Sequence, residues 1–209
     1  IPADATLPVV NANIPNGEVY IKQGTVTTLV VSSADNTTII GEGATVTNLV
    51  VSKGNVRIKK GGSVTNITRS TDPLNVDPIT YVVFEGALPA QANADSEIVY
   101  VSAAEWDLKK AIAKGGTVTL TEDIILESSC VISNDVTINL NGKSIKCASS
   151  AVFVVTAGTL TINGNGLVYG SEDNSSSSCA VWAKENGMVV INGGTYKVGH
   201  DGASKAANQ

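Results

Sequence analysis

Val136-Thr137-Ile138-Asn139, Leu160-Thr161-Ile162-Asn163 and Val189-Val190-Ile191-Asn192 write one phrase three times, and each runs into a glycine within three residues. Leu120-Thr121, behind Thr117-Val118-Thr119, takes the same place one unit earlier. That reading gives anchors at Leu120, Ile138, Ile162 and Ile191, spaced by 18, 24 and 29 residues. A short β-branched strand therefore recurs with the same turn behind it, while the loops between vary in length. This is the pattern of a solenoid whose coils stack side by side.

Composition fits that reading. Aromatic residues make up 4% and charged residues 16%, whereas hydrophobic residues reach 43% and glycine numbers 20. Such a chain must build its core from many small branched side chains. The length of 209 residues suits one or two domains. A net charge of −5 with a pI near 4.8 argues against nucleic acid, which needs clustered Lys and Arg. No apolar run reaches the roughly 18 residues of a membrane helix. The chain begins at Ile1, so any signal peptide or membrane anchor is expected outside it.

The N-terminal third carries its own repeat. Ile21 to Val31 is rewritten as Ile40 to Val51 and again as Ile58 to Ile67, with Val26, Val46 and Val64 in matching places. Each unit reads strand, glycine-containing corner, strand and polar turn. We read residues 1–17 as an extended lead-in marked by Pro2, Pro8 and Pro15, and 18–70 as a β-solenoid of about three coils. Residues 71–101, with Pro73, Pro78 and Pro89, form a connector with one strand at Tyr81-Val82-Val83-Phe84. Residues 102–209 form the second, helix-capped body.

The helix is expected at about 102–114. Ser102 and Glu105 have capping-box spacing, Leu108, Ala111 and Ile112 make an apolar stripe, and Lys109, Lys110 and Lys114 crowd its end. Gly115-Gly116 stops it. A helix directly before a run of coils is a lid over the open end of their core.

The run from Trp106 to Leu120, continuing through Asp135 to Lys143, resembles the capped start of pectin-lyase-like right-handed parallel β-helices. More closely it is similar to the noncatalytic β-helical repeats of large surface or secreted proteins of gut bacteria. Gly158 to Gly164 and Val190 to Tyr196 are in the same style. The resemblance covers about residues 100–200. It implies an all-β, right-handed parallel β-helix, an extracellular or cell-surface location, an adhesin-like role, and a host or dietary glycan or a surface protein as partner. The same scaffold hosts polysaccharide lyases and glycoside hydrolases, so a carbohydrate-active enzyme, or a fragment of one, is the competing class.

Enzymes of this scaffold use converging carboxylates. The candidates in the second half are Glu122, Asp123, Glu127, Asp135, Glu172, Asp173, Glu185 and Asp201. No second carboxylate falls in the column of Asp123, and both arginines, Arg57 and Arg69, lie in the other half. The carboxylates are therefore read as solvated turn residues, and no catalytic, cofactor or metal residue is assigned. His200 is the only histidine and sits beside Asp201 in a tail without the repeat. Asn139, Asn163 and Asn192 are read as a ladder of stacked side-chain amides. Cys130 and Cys147 are about one coil apart, a spacing open to a disulfide or to two stacked thiols; Cys179 has no evident partner. Phe153 and Trp182 each lie nine residues before a repeat isoleucine and are expected to stack on one face, as core or as a platform for sugar rings. Glu172 and Asp173, in the loop insertion at Glu172 to Ser178, and Trp182 after it are the candidate ligand-binding residues.

Overall fold

The computed structural model describes residues 1–70, 80–86, 98–171 and 178–198. The chain is an all-β parallel β-solenoid of about seven turns with one short helix among the described residues. It divides into two compact units, Ile1–Ala103 and Ala104–Gln209.

In the second unit each coil contributes to three parallel sheets. The first contains β6 (Gly116–Thr119), β9 (Val136–Asn139), β12 (Thr159–Asn163) and β15 (Met188–Ile191). The second contains β7 (Ile124–Leu126), β10 (Ser144–Cys147), β13 (Leu167–Tyr169) and β16 (Thr195–Lys197). The third contains β8 (Cys130–Ile132), β11 (Phe153–Val155) and β14 (Val181–Ala183). Alternation along each strand sends one set of side chains into the coil and the other to solvent. Ile138, Leu140, Ile145, Phe153, Val155, Leu160, Ile162 and Val168 fill the interior without a gap to solvent.

The register corrects the first repeat. Ile138 pairs with Val118, and onward with Ile162 and Ile191. Leu120 is two residues further on, where its N–H donates to Asn139 O just as that of Leu140 donates to Asn163 O. Both leucines are buried, so either could pass for the anchor by residue type alone. The first step is therefore 20 residues, from Val118 to Ile138, rather than 18.

The helix α1 (Ala103–Lys114) precedes the first coil of this unit and inserts Leu108 and Ile112 into its core. Gly115 (φ 81°) and Gly116 (φ 85°) end it in the left-handed region that glycine reaches without strain. The Glu105 carboxylate is buried. It accepts hydrogen bonds from Lys109 Nζ and from the Glu127 N–H at 3.1 Å, fastening the helix to the coil below it.

The first unit is built on β2 (Glu18–Ile58), an extended stretch long enough to wind around the core and meet itself. Lys59 N–H donates to Ile40 O at 2.8 Å, and a Cβ on Gly41 would stand 2.6 Å from Lys22 O. The glycine corners of the repeat are thus where one coil's backbone rides on the next. β3 (Ser63–Arg69) pairs with β2 through Val46–Val64 and Leu49–Ile67.

The sheet extends at both ends of the repeat. β1 (Thr6–Ala12), inside the expected lead-in, pairs in parallel with Thr25–Val31. Its Pro8 is tolerated because β1 is an edge strand with no neighbour to receive an N–H on that side. β4 (Thr80–Phe84) takes up Tyr81 to Phe84 from the expected connector, and β5 (Ile98–Ser102) adds a second strand there. Pro73, Pro78 and Pro89 lie outside the described residues. Arg57 Nε and Lys59 Nζ both reach Glu85 Oε1 at 2.9 Å just after β4.

Candidate functional site

The outer surface of the second unit offers three faces of different chemistry. On the β6–β9–β12–β15 sheet the outward positions of β6, β9 and β12 are polar, and β15 turns Met188 and Val190 outward. Thr117, Thr137 and Thr161 form one column, and two residues along runs a chain of amides. Asn192 Nδ2 donates to Asn163 Oδ1 at 2.9 Å, and Asn163 Nδ2 donates to Asn139 Oδ1 at 3.1 Å. Asn139 Nδ2 then donates to Thr119 Oγ1 at 3.2 Å. In the first unit Asn66 Nδ2 donates to Asn48 Oδ1 at 2.9 Å in the same manner. Amides stacked one coil apart satisfy one another, so this face is closed upon itself.

The β8–β11–β14 sheet differs. Phe153 pairs with Val181, and Trp182 pairs with Val154, so the two aromatics are one residue out of register. A one-residue slip sends a side chain to the opposite face. Phe153 is accordingly 0% exposed and Trp182 39% exposed, and they do not stack. The cause lies in the corner before the repeat strand. Val136 comes four positions after Ile132, Leu160 five after Val155, and Val189 six after Ala183. Each coil adds one residue there. Equal spacing from the isoleucines thus means unequal facing. The outward column is Val131 (58% exposed), Val154 and Trp182. Lys184 places its ammonium 3.8 Å from the Trp182 ring centroid, a cation–π contact that holds the indole on the surface.

The β7–β10–β13–β16 sheet carries an outward column of Ile125, Lys146, Tyr169 and Lys197. Lys146 Nζ lies 5.6 Å from the Tyr169 ring centroid. Repeat counting missed this column because its members fall eight, seven and six residues after Ile138, Ile162 and Ile191. From the coil of Ile138 onward this corner shortens by one residue per coil as the other lengthens; in the first coil Ile125 falls seven residues after Val118.

Two of the described carboxylates of the unit brace turns. Asp123 Oδ1 accepts the Ser144 N–H at 2.7 Å, and Asp135 Oδ1 accepts the Thr159 N–H at 2.8 Å. The Ser144 bonds, with Lys143 and Lys146 nearby, hold the Asp123 carboxyl below its usual range. Asp107 and Glu122 share a cleft of about 200 Å³ between α1 and the first coil, a pair the sequence reading did not single out. It is smaller than the roughly 300 Å³ at which ligand pockets begin. Among the described residues no group of three or more His, Cys, Asp or Glu side chains could hold a metal ion. Glu172, Asp173, His200 and Asp201 lie outside the described residues.

All three cysteines are free thiols. Cys130 pairs with Phe153 on one sheet and Cys147 with Leu126 on another, so the two do not share a column of one sheet although both enter the same core. Burial pushes the Cys130 thiol up to about 12. No described helix is long and apolar enough to cross a membrane. Comparison with protein-family models, curated proteins and solved structures gives no match.

Proposed function

We propose that the chain is a noncatalytic, adhesin-like β-helix of a bacterial cell surface or secretion, of the right-handed pectin-lyase-like type. It binds a glycan or protein partner on a rigid coil face. The observation that carries this reading is the exposed column Val131–Val154–Trp182. Outward positions on β6, β9 and β12 of the neighbouring repeat sheet are threonine and asparagine, with Met188 and Val190 outward on β15, whereas here the outward residue is apolar on each coil and the last is an indole. A tryptophan held outside by a lysine, when the core is otherwise built of small aliphatics, suits an exposed anchor for a partner. β11 is held on both sides by parallel ladders and β14, the strand of Trp182, is paired to it along its length, so binding orders little backbone.

The test is a glycan array and a surface-protein panel probed with the intact chain, followed by Trp182→Ala. The reading expects at least one ligand whose affinity falls by about tenfold or more in the variant. Cleavage of a polysaccharide by the wild-type chain, or the absence of any ligand whose binding depends on Trp182, would overturn it.

A further inference from the structure

Another side of the same unit carries a second pattern, independent of Trp182. The outward column of the β7–β10–β13–β16 sheet alternates apolar and cationic on successive coils: Ile125, Lys146, Tyr169, Lys197. We propose that this column is a binding track for an anionic glycan in which every second sugar carries a carboxylate or sulfate.

Three features of the geometry argue for that ligand. Parallel neighbours in a sheet stand about 4.8 Å apart, so Lys146 and Lys197, two coils apart, are anchored about 10 Å from each other. An extended pyranose chain laid along the stacking direction advances by close to one coil per sugar. Anions on alternate sugars then meet the two ammonium groups, and the sugars between them lie on Ile125 and Tyr169. Ile125 is 63% exposed although it is aliphatic, which leaves a hydrophobic foothold at the start of the track. A sugar's C–H face and an aromatic or aliphatic side chain are complementary for the same reason that apolar surfaces associate.

The charge along the column is graded. Exposed Glu122, Asp123 and Glu127 bracket β7 at the Ile125 end, whereas Lys146 and Lys197 supply the cations on later coils, and the Asp123 carboxylate is engaged by the Ser144 N–H. The whole chain carries −5, so retention of a polyanion must come from this patch and not from overall charge. Lys146 lies 5.6 Å from the Tyr169 ring centroid, further out than the 3.8 Å of Lys184 over Trp182.

The experiment uses the intact chain on immobilised hyaluronan, which bears only carboxylates, keratan sulfate, which bears only sulfates, and neutral dextran. Binding to one or both acidic glycans, weakening with added salt, and none to dextran is the expected result. The arm that binds identifies the anionic group. Lys146→Ala and Lys197→Ala should each weaken binding about twofold to fivefold, and the double variant should lose more than either. Lys60→Ala, an exposed lysine of the other unit, should change nothing. Equal binding by the double variant, equal binding to dextran, or no retention on either acidic glycan at low salt overturns the proposal. A Trp182-independent ligand in the earlier test leaves this result untouched, so the two readings fail separately.

Discussion

Two sheets of one unit repeat differently. The strands β6, β9 and β12 put the same kind of residue in the same place on every coil: threonine or asparagine outward, and Val118, Ile138 and Ile162 in one inward column. Strand β15 continues that column with Ile191 while turning Met188 and Val190 outward. The strands β8, β11 and β14 stack just as regularly in backbone, yet Val131, Val154 and Trp182 share a column with no common motif. The difference teaches that coil stacking constrains the strands, whereas the corners absorb insertions of single residues. A face fixed by its own repeat is structural; a face whose register drifts is where sequence is free to carry recognition.

The largest way to break that comparison is at Phe153. It has the same distance to its isoleucine as Trp182 and lies wholly inside. Phe153→Ala should cost about 3–5 kcal/mol through lost burial and the cavity left behind. Denaturant unfolding followed by circular dichroism measures it. A loss under about 1 kcal/mol would mean that the aromatic is not packed and that the register is wrong.

The amide ladder gives the next effect. Asn163→Ala removes the acceptor of Asn192 and the donor to Asn139 at once. Because the ladder is only partly shielded from water, the cost should be about 1–2 kcal/mol rather than the larger penalty of a buried orphan. A double-mutant cycle with Asn139 should show coupling, whereas one with Trp182 should not. Additive behaviour between Asn139 and Asn163 would dissolve the ladder as an energetic unit.

The ladder was legible in the sequence because Ile-Asn recurs and a strand places both residues by simple alternation. The solenoid class and the helix before the second unit were legible for similar reasons: periodic β-branched runs, an apolar stripe and a glycine stop. The register of the first coil was not, since Val118 and Leu120 are both apolar and only pairing distinguishes them. Strand β1 was hidden by Pro8, which reads as loop until the strand is known to be an edge. The facing of Trp182 and the Lys146–Tyr169–Lys197 column depend on corner lengths of one residue more or less. Nothing in local composition reports those lengths; they are set by how each corner's backbone packs on the coil beneath.

The first unit adds a charged fastening to its Asn48–Asn66 amide pair. Burial would raise the Glu85 carboxyl, but hydrogen bonds and charge from Lys59 and Arg57 outweigh it and hold the group below its ordinary 4.5. A carboxyl lowered by folding stabilises fully above its unfolded value, and the contribution fades as pH falls through the folded one. Wild type and Glu85→Gln should therefore differ by a constant amount above about pH 5 and converge as acid is added. The plateau should lie below about 1 kcal/mol, because both cations remain partly in water. A gap that widens on acidification would contradict the ion pair.

The smallest expected effect closes the contrast with Phe153. Trp182→Ala removes a larger side chain from a matching position in the repeat, yet should change stability by only about 0.5 kcal/mol or less. Its indole meets solvent on one side and the Lys184 ammonium on the other, so truncation opens no cavity. The cation–π contact at an exposed site adds about 0.5–1 kcal/mol at most, and the freed lysine regains rotamer entropy against it. Unfolding curves of the two alanine variants, measured side by side, should thus differ several-fold in their displacement from wild type. Equal displacements would place Trp182 in the core after all and remove the exposed anchor on which partner binding is built.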